Sequence, residues 1–379
     1  MSDFLPKNWY YFLRIYGDNS AKSWEKTLLY KVDSLAQASH TFCEVNEQLD
    51  PDLISAFGTS TPSPAHYLLH LSPGWDENII DPPIILVHGA GLDATSYVNL
   101  YNMHYKGIKQ QLVALGYKVF SITFAHSHGD NFHQAEILAH AIEKVKELTQ
   151  AEKVNIIAHS KGGFAARIYL SNLALTPYRN DVHQYIMLGT PNLGTDYVFR
   201  YPGISYLIYL AGGNGVIAWD KVMHLGNLID ISPRAIYSDG SFPGQSQMLY
   251  PWDEFYPLDI TQQDWWTTYY GGTGFMSSSR GIKKAIADGG NLVQKLETKG
   301  LHPDIYCSIL AGDRGILNVF PSPSSNPSDG IVLVDSVLNT YGICKEGAKI
   351  KKKTILPLNH MELLYDFRVA PWIHGQLSD

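Results

Sequence analysis

Ser160 lies in VNIIAHSKGGFAARIYL (154–170), between an apolar run and a helix-like run, with Ala158 two places before it and Gly162 two places after. A nucleophilic serine on a strand-to-helix turn needs that spacing. The turn is sharp and its backbone strained, so that Oγ projects above the sheet. Large side chains at the two flanking positions would collide with each other and with neighbouring strands. The helix that follows points its N-terminus, the positive end of its dipole, at developing negative charge. A glycine-containing turn with an incidental serine is the plain alternative, and the rest of the chain has to decide between them.

Acyl transfer also needs hydrogen-bond donors where the carbonyl oxygen becomes negative. The backbone N–H of Lys161 is one candidate; the other is that of Ala90, in ILVHGAGLDATSY after an apolar run. His88 of the same His-Gly pair is expected to meet the substrate. A base should follow, in the chain order serine, acid, histidine. With fifteen histidines in the chain, position decides. His360, in KKTILPLNHMELLYD, falls just past an apolar strand, whereas His302 precedes a strand and His374 lies in the terminal tail. On position two acids stay open: Asp313, directly after IYCSILAG, and Asp329, in NPSDGIVLVDSVL. Either could orient an imidazole and stabilise its charged form. FAHSHGDNFH places His126, His128, Asp130 and His133 close together, a spacing compatible with a metal but more often a polar rim bonded to backbone.

These residues must be positioned by alternating strands and helices. IILVHG (84–89), YKVFSITF (117–124), KVNIIAH (153–159) and QYIMLGTP (184–191) read as strands. QAEILAHAIEKVKELT (134–149) carries Ile137, Leu138, Ala141, Ile142, Val145 and Leu148 at helical period. This order predicts a mostly parallel sheet with helices on both faces. Strand pattern returns at 304–312 and 352–358. The stretch 195–300 is rich in Gly, Tyr and Trp, and four of the eight tryptophans (Trp219, Trp252, Trp265, Trp266) fall there. The expected division is an N-terminal extension (1–80) of helical and strand character, a core (81–196 and 301–379), and an inserted cap (197–300). In the extension, Trp24, Leu28, Val32 and Leu35 lie at helical spacing. In the cap, Trp265 and Trp266 are expected to line the acyl site, with the remaining rings forming a small core of the insertion.

Composition narrows the classes. The chain has 379 residues, 45% hydrophobic, with a net charge of −7, so a nucleic-acid surface is not expected. Lys349, Lys351, Lys352 and Lys353 read as a solvated strand edge. Cys43, Cys307 and Cys344 form no CxxC pair, which suggests a reducing compartment. The opening MSDFLPKNWYYFLRIYGDNS lacks the long apolar core of a signal peptide, and no window approaches the ~20 apolar residues of a membrane helix. A cytoplasmic protein without a transmembrane segment is expected.

ILVHGAG, KVNIIAHSKGG, MLGTPNLGT, PSDGIV and NHMEL together resemble the bacterial triacylglycerol lipases and esterases of the α/β-hydrolase superfamily, over residues 81–196 and 304–366. The resemblance implies Ser160 as nucleophile, Asp329 as acid, His360 as base, and Ala90 and Lys161 as oxyanion donors; it favours Asp329 over Asp313. The chain departs from the pattern at Ala158, where glycine is commoner, and at Ala90, smaller than the usual apolar residue. Glu362 matches a family position that often helps hold a structural calcium, but no convincing partner ligands accompany it, so no cofactor is expected. SQMLYPWDEFYP is more weakly similar to lecithin–cholesterol acyltransferase-type proteins. The expected function is hydrolysis of a small-molecule or lipid ester with an apolar acyl part. Phospholipase, acyltransferase, thioesterase and polyester depolymerase chemistry use the same triad, and a silent hydrolase fold used for binding is the alternative of a different class.

Overall fold

The computed structural model describes residues 24–35, 50–100, 103–200, 221–224, 227–230, 243–258, 263–273, 278–279, 281–315 and 327–378. Its centre is one eight-stranded sheet. The strands are β1 (Lys26–Lys31), β2 (His66–Leu71), β3 (Ile80–Val87), β4 (Tyr117–Phe124), β5 (Val154–His159), β6 (Val182–Leu188), β11 (Tyr306–Gly312) and β12 (Lys349–Leu356). Two short ribbons, β7 (Lys221–His224) with β8 (Asn227–Asp230) and β9 (Gly272–Thr273) with β10 (Ser278–Ser279), lie between β6 and β11 in the chain. The sheet order is β1-β2-β4-β3-β5-β6-β11-β12. β2 runs antiparallel to both its neighbours, and every pairing from β4 to β12 is parallel. This is the α/β-hydrolase fold.

The central strands read as unbroken apolar runs because both of their faces are covered. Ile85 and Val87 of β3 pack in one core with helices Asn131–Thr149 and Gly162–Leu170. Ile84 and Leu86 pack in a second, with helices Ile108–Ala114 and Val369–Ser378. Parallel pairing brings the C-terminal ends of β3, β5, β6 and β11 to the same sheet edge. Gly89, Ser160, Gly189 and Gly312 therefore converge there, where ligands bind in open α/β sheets.

The extension does hold a helix, Pro51–Phe57, but the helical expectation for Trp24–Leu35 is wrong: Lys26–Lys31 is a strand, followed by a 3-10 turn at Asp33–Leu35. Trp24, Val32 and Leu35 are nevertheless buried, reached by strand and turn instead of one helix face. Spacing alone cannot separate these cases in a short segment, and pairing with β2 decides. Residues 36–49 lie outside the described residues.

The insertion packs onto the main core. Met248, Trp252, Leu292, Val293 and Leu296 share one hydrophobic cluster with Ala158 and Met187 of the sheet. Trp252 is buried and directs its Nε1–H at the Gly194 carbonyl, 3.4 Å away. It belongs to the common core and not to a separate one. β12 is the sheet's outer strand, and its lysines act as edge protection. Lys351 and Lys353 bond the carbonyls of Gln376 and Leu338 at 2.7 and 2.8 Å. Among the described residues no helix is long and apolar enough to cross a membrane.

Candidate active site

Ser160 occupies the turn between β5 and helix Gly162–Leu170 with φ at +52°, a left-handed conformation that a serine adopts only under constraint. The constraint is visible on both sides. The Ser160 N–H donates to the Leu188 carbonyl of β6 at 3.0 Å. Towards β3, a Cβ on Gly162 would sit 2.4 Å from the Val87 carbonyl oxygen and 2.6 Å from that of His88. A Cβ on Gly89 would sit 2.9 Å from the Cβ of Ser160. The two glycines let the turn press backbone against backbone. Ala158, the departure from the family pattern, is buried on the core face of β5.

Asp329 and His360 meet in a sealed contact. His360 Nδ1 lies 2.6 Å from Asp329 Oδ2, and the two side chains are 2% and 0% exposed. The other carboxylate oxygen accepts from the N–H groups of Ile331 and Val332 at 3.0 and 2.7 Å. The His360 N–H donates to the Asp329 carbonyl at 2.9 Å. An ionised carboxylate only accepts, so it selects the tautomer with hydrogen on Nδ1 and leaves the Nε2 lone pair to take a proton. Asp313, the other acid considered from the sequence, is exposed and does not hold this ring.

Several supporting residues carry no signal in their spacing. Gly189, at φ +58°, ends β6; a Cβ there would lie 3.1 Å from His360 Nδ1 and 3.2 Å from Asp329 Oδ2. His159 contacts the His360 carbonyl through Nε2 at 3.0 Å, and the two rings lie 4.6 Å apart. Burial, then the neighbouring His360, holds His159 well below the usual imidazole range, so no second cation forms beside His360. Buried Arg167 ties the serine's helix to the carbonyls of Asn192 and Leu296, at 2.6 and 3.3 Å. Only the three-dimensional contacts reveal these roles.

Ser160 and His360 open on one cavity of about 40 Å3. Ala90 and Leu92 line it, with Met248 and Leu249 from the insertion and Ile331 and Val332 from the acid loop. Ala90 is therefore beside the serine. Lys161 caps the serine's helix, where the first N–H groups have no intrahelical partner. Both placements are compatible with donors to an oxyanion.

Two of the expected substrate contacts, His88 and Trp266, are placed away from this cavity. His88 does not line this cavity: its Nδ1 meets the Gly89 carbonyl at 2.8 Å, and the Phe124 N–H donates to its Nε2 at 3.2 Å. Burial pushes it down to about 4, and as a neutral ring it braces β3 against β4. Trp266 is 42% exposed and packs on Tyr270, away from the cavity lining. The side chain of Trp265 lies outside the described residues. The aromatic residue among the described cavity lining is Tyr197.

The candidate cation positions are otherwise engaged. Glu362 pairs with Arg314 and accepts from the Asn359 N–H at 2.7 Å, so its donors do not fit a calcium site. Asp130 caps helix Asn131–Thr149 through the N–H groups of Phe132 and His133. Among the described residues no group of three or more His, Cys, Asp or Glu side chains is placed to hold a metal ion. With Glu362 held by Arg314, added EDTA should leave the thermal midpoint unchanged, and a fall restored by calcium but absent from Glu362→Gln would show a cation at this position.

The family model for palmitoyl protein thioesterase matches residues 83–272. A triacylglycerol lipase of Pseudarthrobacter phenanthrenivorans is 35% identical over 119 residues, 30% of this chain and 34% of that protein. A triacylglycerol lipase of Burkholderia plantarii is 35% identical over 119 residues, 30% of this chain and 31% of that protein. The chain thus spans about a third of the length of these curated relatives. Among solved structures, naproxen esterase (carboxylesterase NP) from Bacillus subtilis aligns with a TM-score of 0.45 at 12% identity, over 95% of this chain and 94% of that one.

Proposed function

This chain belongs to the palmitoyl protein thioesterase family, and from that premise we propose that it is a serine hydrolase of acyl esters and thioesters with an apolar acyl part. The observation that carries the reading is the buried His360–Asp329 pair, with His360 and the strained Ser160 opening on one mostly apolar cavity.

Each residue has a defined step. Ser160 Oγ attacks the acyl carbonyl carbon while His360 Nε2 takes the hydroxyl proton. Asp329 keeps the ring oriented and stabilises the imidazolium. The N–H groups of Ala90 and Lys161 hold the developing oxyanion. The intermediate collapses, the C–O or C–S bond breaks, and the imidazolium proton passes to the leaving group. Water then attacks the acyl-serine, with His360 again as base; the bond from Ser160 Oγ to the acyl carbon breaks, the imidazolium proton returns to Oγ, and the carboxylic acid leaves. The apolar walls exclude bulk water and favour an alkyl chain.

A fluorophosphonate probe should label Ser160 in the folded protein, and Ser160→Ala should lose both labelling and turnover. Full retention of ester turnover in that variant would overturn the reading. The matching family model favours the thioester within this class. An alkoxide leaving group needs the His360 proton, whereas a thiolate, with a thiol pKa near ~8.5, departs more readily. Faster turnover of a palmitoyl thioester than of its matched oxyester would support the thioester assignment; turnover confined to oxyesters would remove it.

A further inference from the structure

The side chain of Lys161 has no part in the chemistry above, yet it is fully buried beside the serine. Its Nζ donates to Gln134 Oε1 at 2.5 Å. Gln134 in turn donates through Nε2 to the His126 carbonyl at 3.1 Å. Burial drives the Lys161 ammonium down to about 7, with Asp130 acting in the opposite direction. Burial, and after it the same cation, hold His126 down to about 3; burial is likewise the main cause at His88, where Lys161 adds a smaller lowering. A residue that needed only its backbone N–H would have no use for a buried amine. Transferring an unpaired ammonium from water is costly.

Its surroundings suggest a use. The segment 243–249 of the insertion comes down against the lysine stem. A Cβ on Gly244 would lie 2.3 Å from Lys161 Cε, 2.3 Å from the Gly129 carbonyl and 2.6 Å from that of His128. The Gly244 N–H donates to the His128 carbonyl at 3.2 Å. Gln247 accepts from the Asn131 N–H at 2.8 Å and donates to Asp130 Oδ2 at 2.6 Å. Gln245 Nε2 meets His128 Nδ1 at 3.0 Å. On its other side the segment supplies Gln245, Met248 and Leu249 to the cavity wall.

We propose that Lys161 is a positioning residue: through Gln134 and the 126–131 loop it fixes segment 243–249 over Ser160, and so sets which acyl chains the site accepts. This rests on the reading of Ser160 as the nucleophile. It gives the histidine-containing loop a role as the seat of the wall. It also couples that wall to the residue whose backbone N–H serves the oxyanion.

Two variants of the full chain test it, Lys161→Met, which keeps the stem and removes the amine, and Gln134→Leu, which removes the acceptor. The first readout is amide hydrogen exchange, which requires no activity. Both variants should speed exchange in 244–249 by about tenfold, the scale of one lost hydrogen bond, while β5 and β6 keep their protection. The second readout is kcat/KM over acetyl to palmitoyl thioesters. The long-to-short selectivity ratio should fall by about tenfold in each variant, mainly through KM for the long chains, since a mis-seated wall weakens binding of the remote acyl part. Unchanged exchange at 244–249 in both variants would overturn the proposal, as would faster exchange spread through the whole core. An unchanged selectivity ratio alongside faster local exchange would also overturn it. If fluorophosphonate fails to label Ser160 in the parent protein, the functional reading falls, while the exchange result still decides whether Lys161 seats the wall.

Discussion

Asp329→Asn should lower kcat/KM by about 10^4-fold, roughly 5 kcal/mol of lost transition-state stabilisation, while the protein stays folded. One carboxylate oxygen accepts from the N–H groups of Ile331 and Val332, and an asparagine can keep that role with its amide oxygen. Its NH2 group then occupies the place of the oxygen that faces His360 Nδ1 at 2.6 Å. There it donates instead of accepting. The imidazole is driven to the tautomer with hydrogen on Nε2, which cannot take the Ser160 proton. Asp313→Asn is the matched control: that residue is exposed, and its change should alter kcat/KM by less than about twofold. Steady-state rates on one ester, with circular dichroism to check folding, settle the comparison. Near-normal turnover in Asp329→Asn together with a large loss in Asp313→Asn would reverse the assignment of the acid.

The second large effect is on the fold. Gly162→Ala should cost about 3 kcal/mol, because the added methyl lands on backbone and not on a side chain that can swing away. Its nearest neighbours would be the Val87 and His88 carbonyl oxygens, at 2.4 and 2.6 Å. Relief requires moving helix Gly162–Leu170 off the end of β3, which also shifts Ser160. A fall in thermal midpoint of roughly 4 °C is expected, with loss of fluorophosphonate labelling. Ala158→Gly, on the other side of the serine, should cost only about 1 kcal/mol, the ordinary cost of a glycine in a strand. Equal effects of the two substitutions would show that the small residues flank the serine for some reason other than this backbone contact.

Much of the sheet was readable because burial on both faces leaves a plain mark. Runs such as IILV and VNIIA can be stable only where each face meets a helix. The strand–serine–glycine turn was readable for a similar reason: the small residues are demanded locally, by atoms at the end of the adjacent strand. Residues read from type alone fared worse. His88 looked like a substrate contact because histidines often are, but both its ring nitrogens are committed to backbone groups. Trp266 looked like acyl-site lining because it is large and apolar, yet it lies 42% exposed. The N-terminal apolar spacing suited a helix, and a partner strand made it β1.

The amino-acid sequence by itself determined the core strands, the turn at Ser160 and the motifs of the family resemblance, because each depends on residues close together in the chain. What it left open was every choice between residues far apart. Asp329 and Asp313 are equal in chain position, and the fold separates them by burying one against His360 and exposing the other. Lys161 was legible as the residue after the serine, but its amine could be placed only once Gln134 and Gly244 were beside it. Strand and turn patterns are written by local sterics and by water. The partner of a buried proton or charge is chosen by whichever distant segment the packed core brings within hydrogen-bond reach.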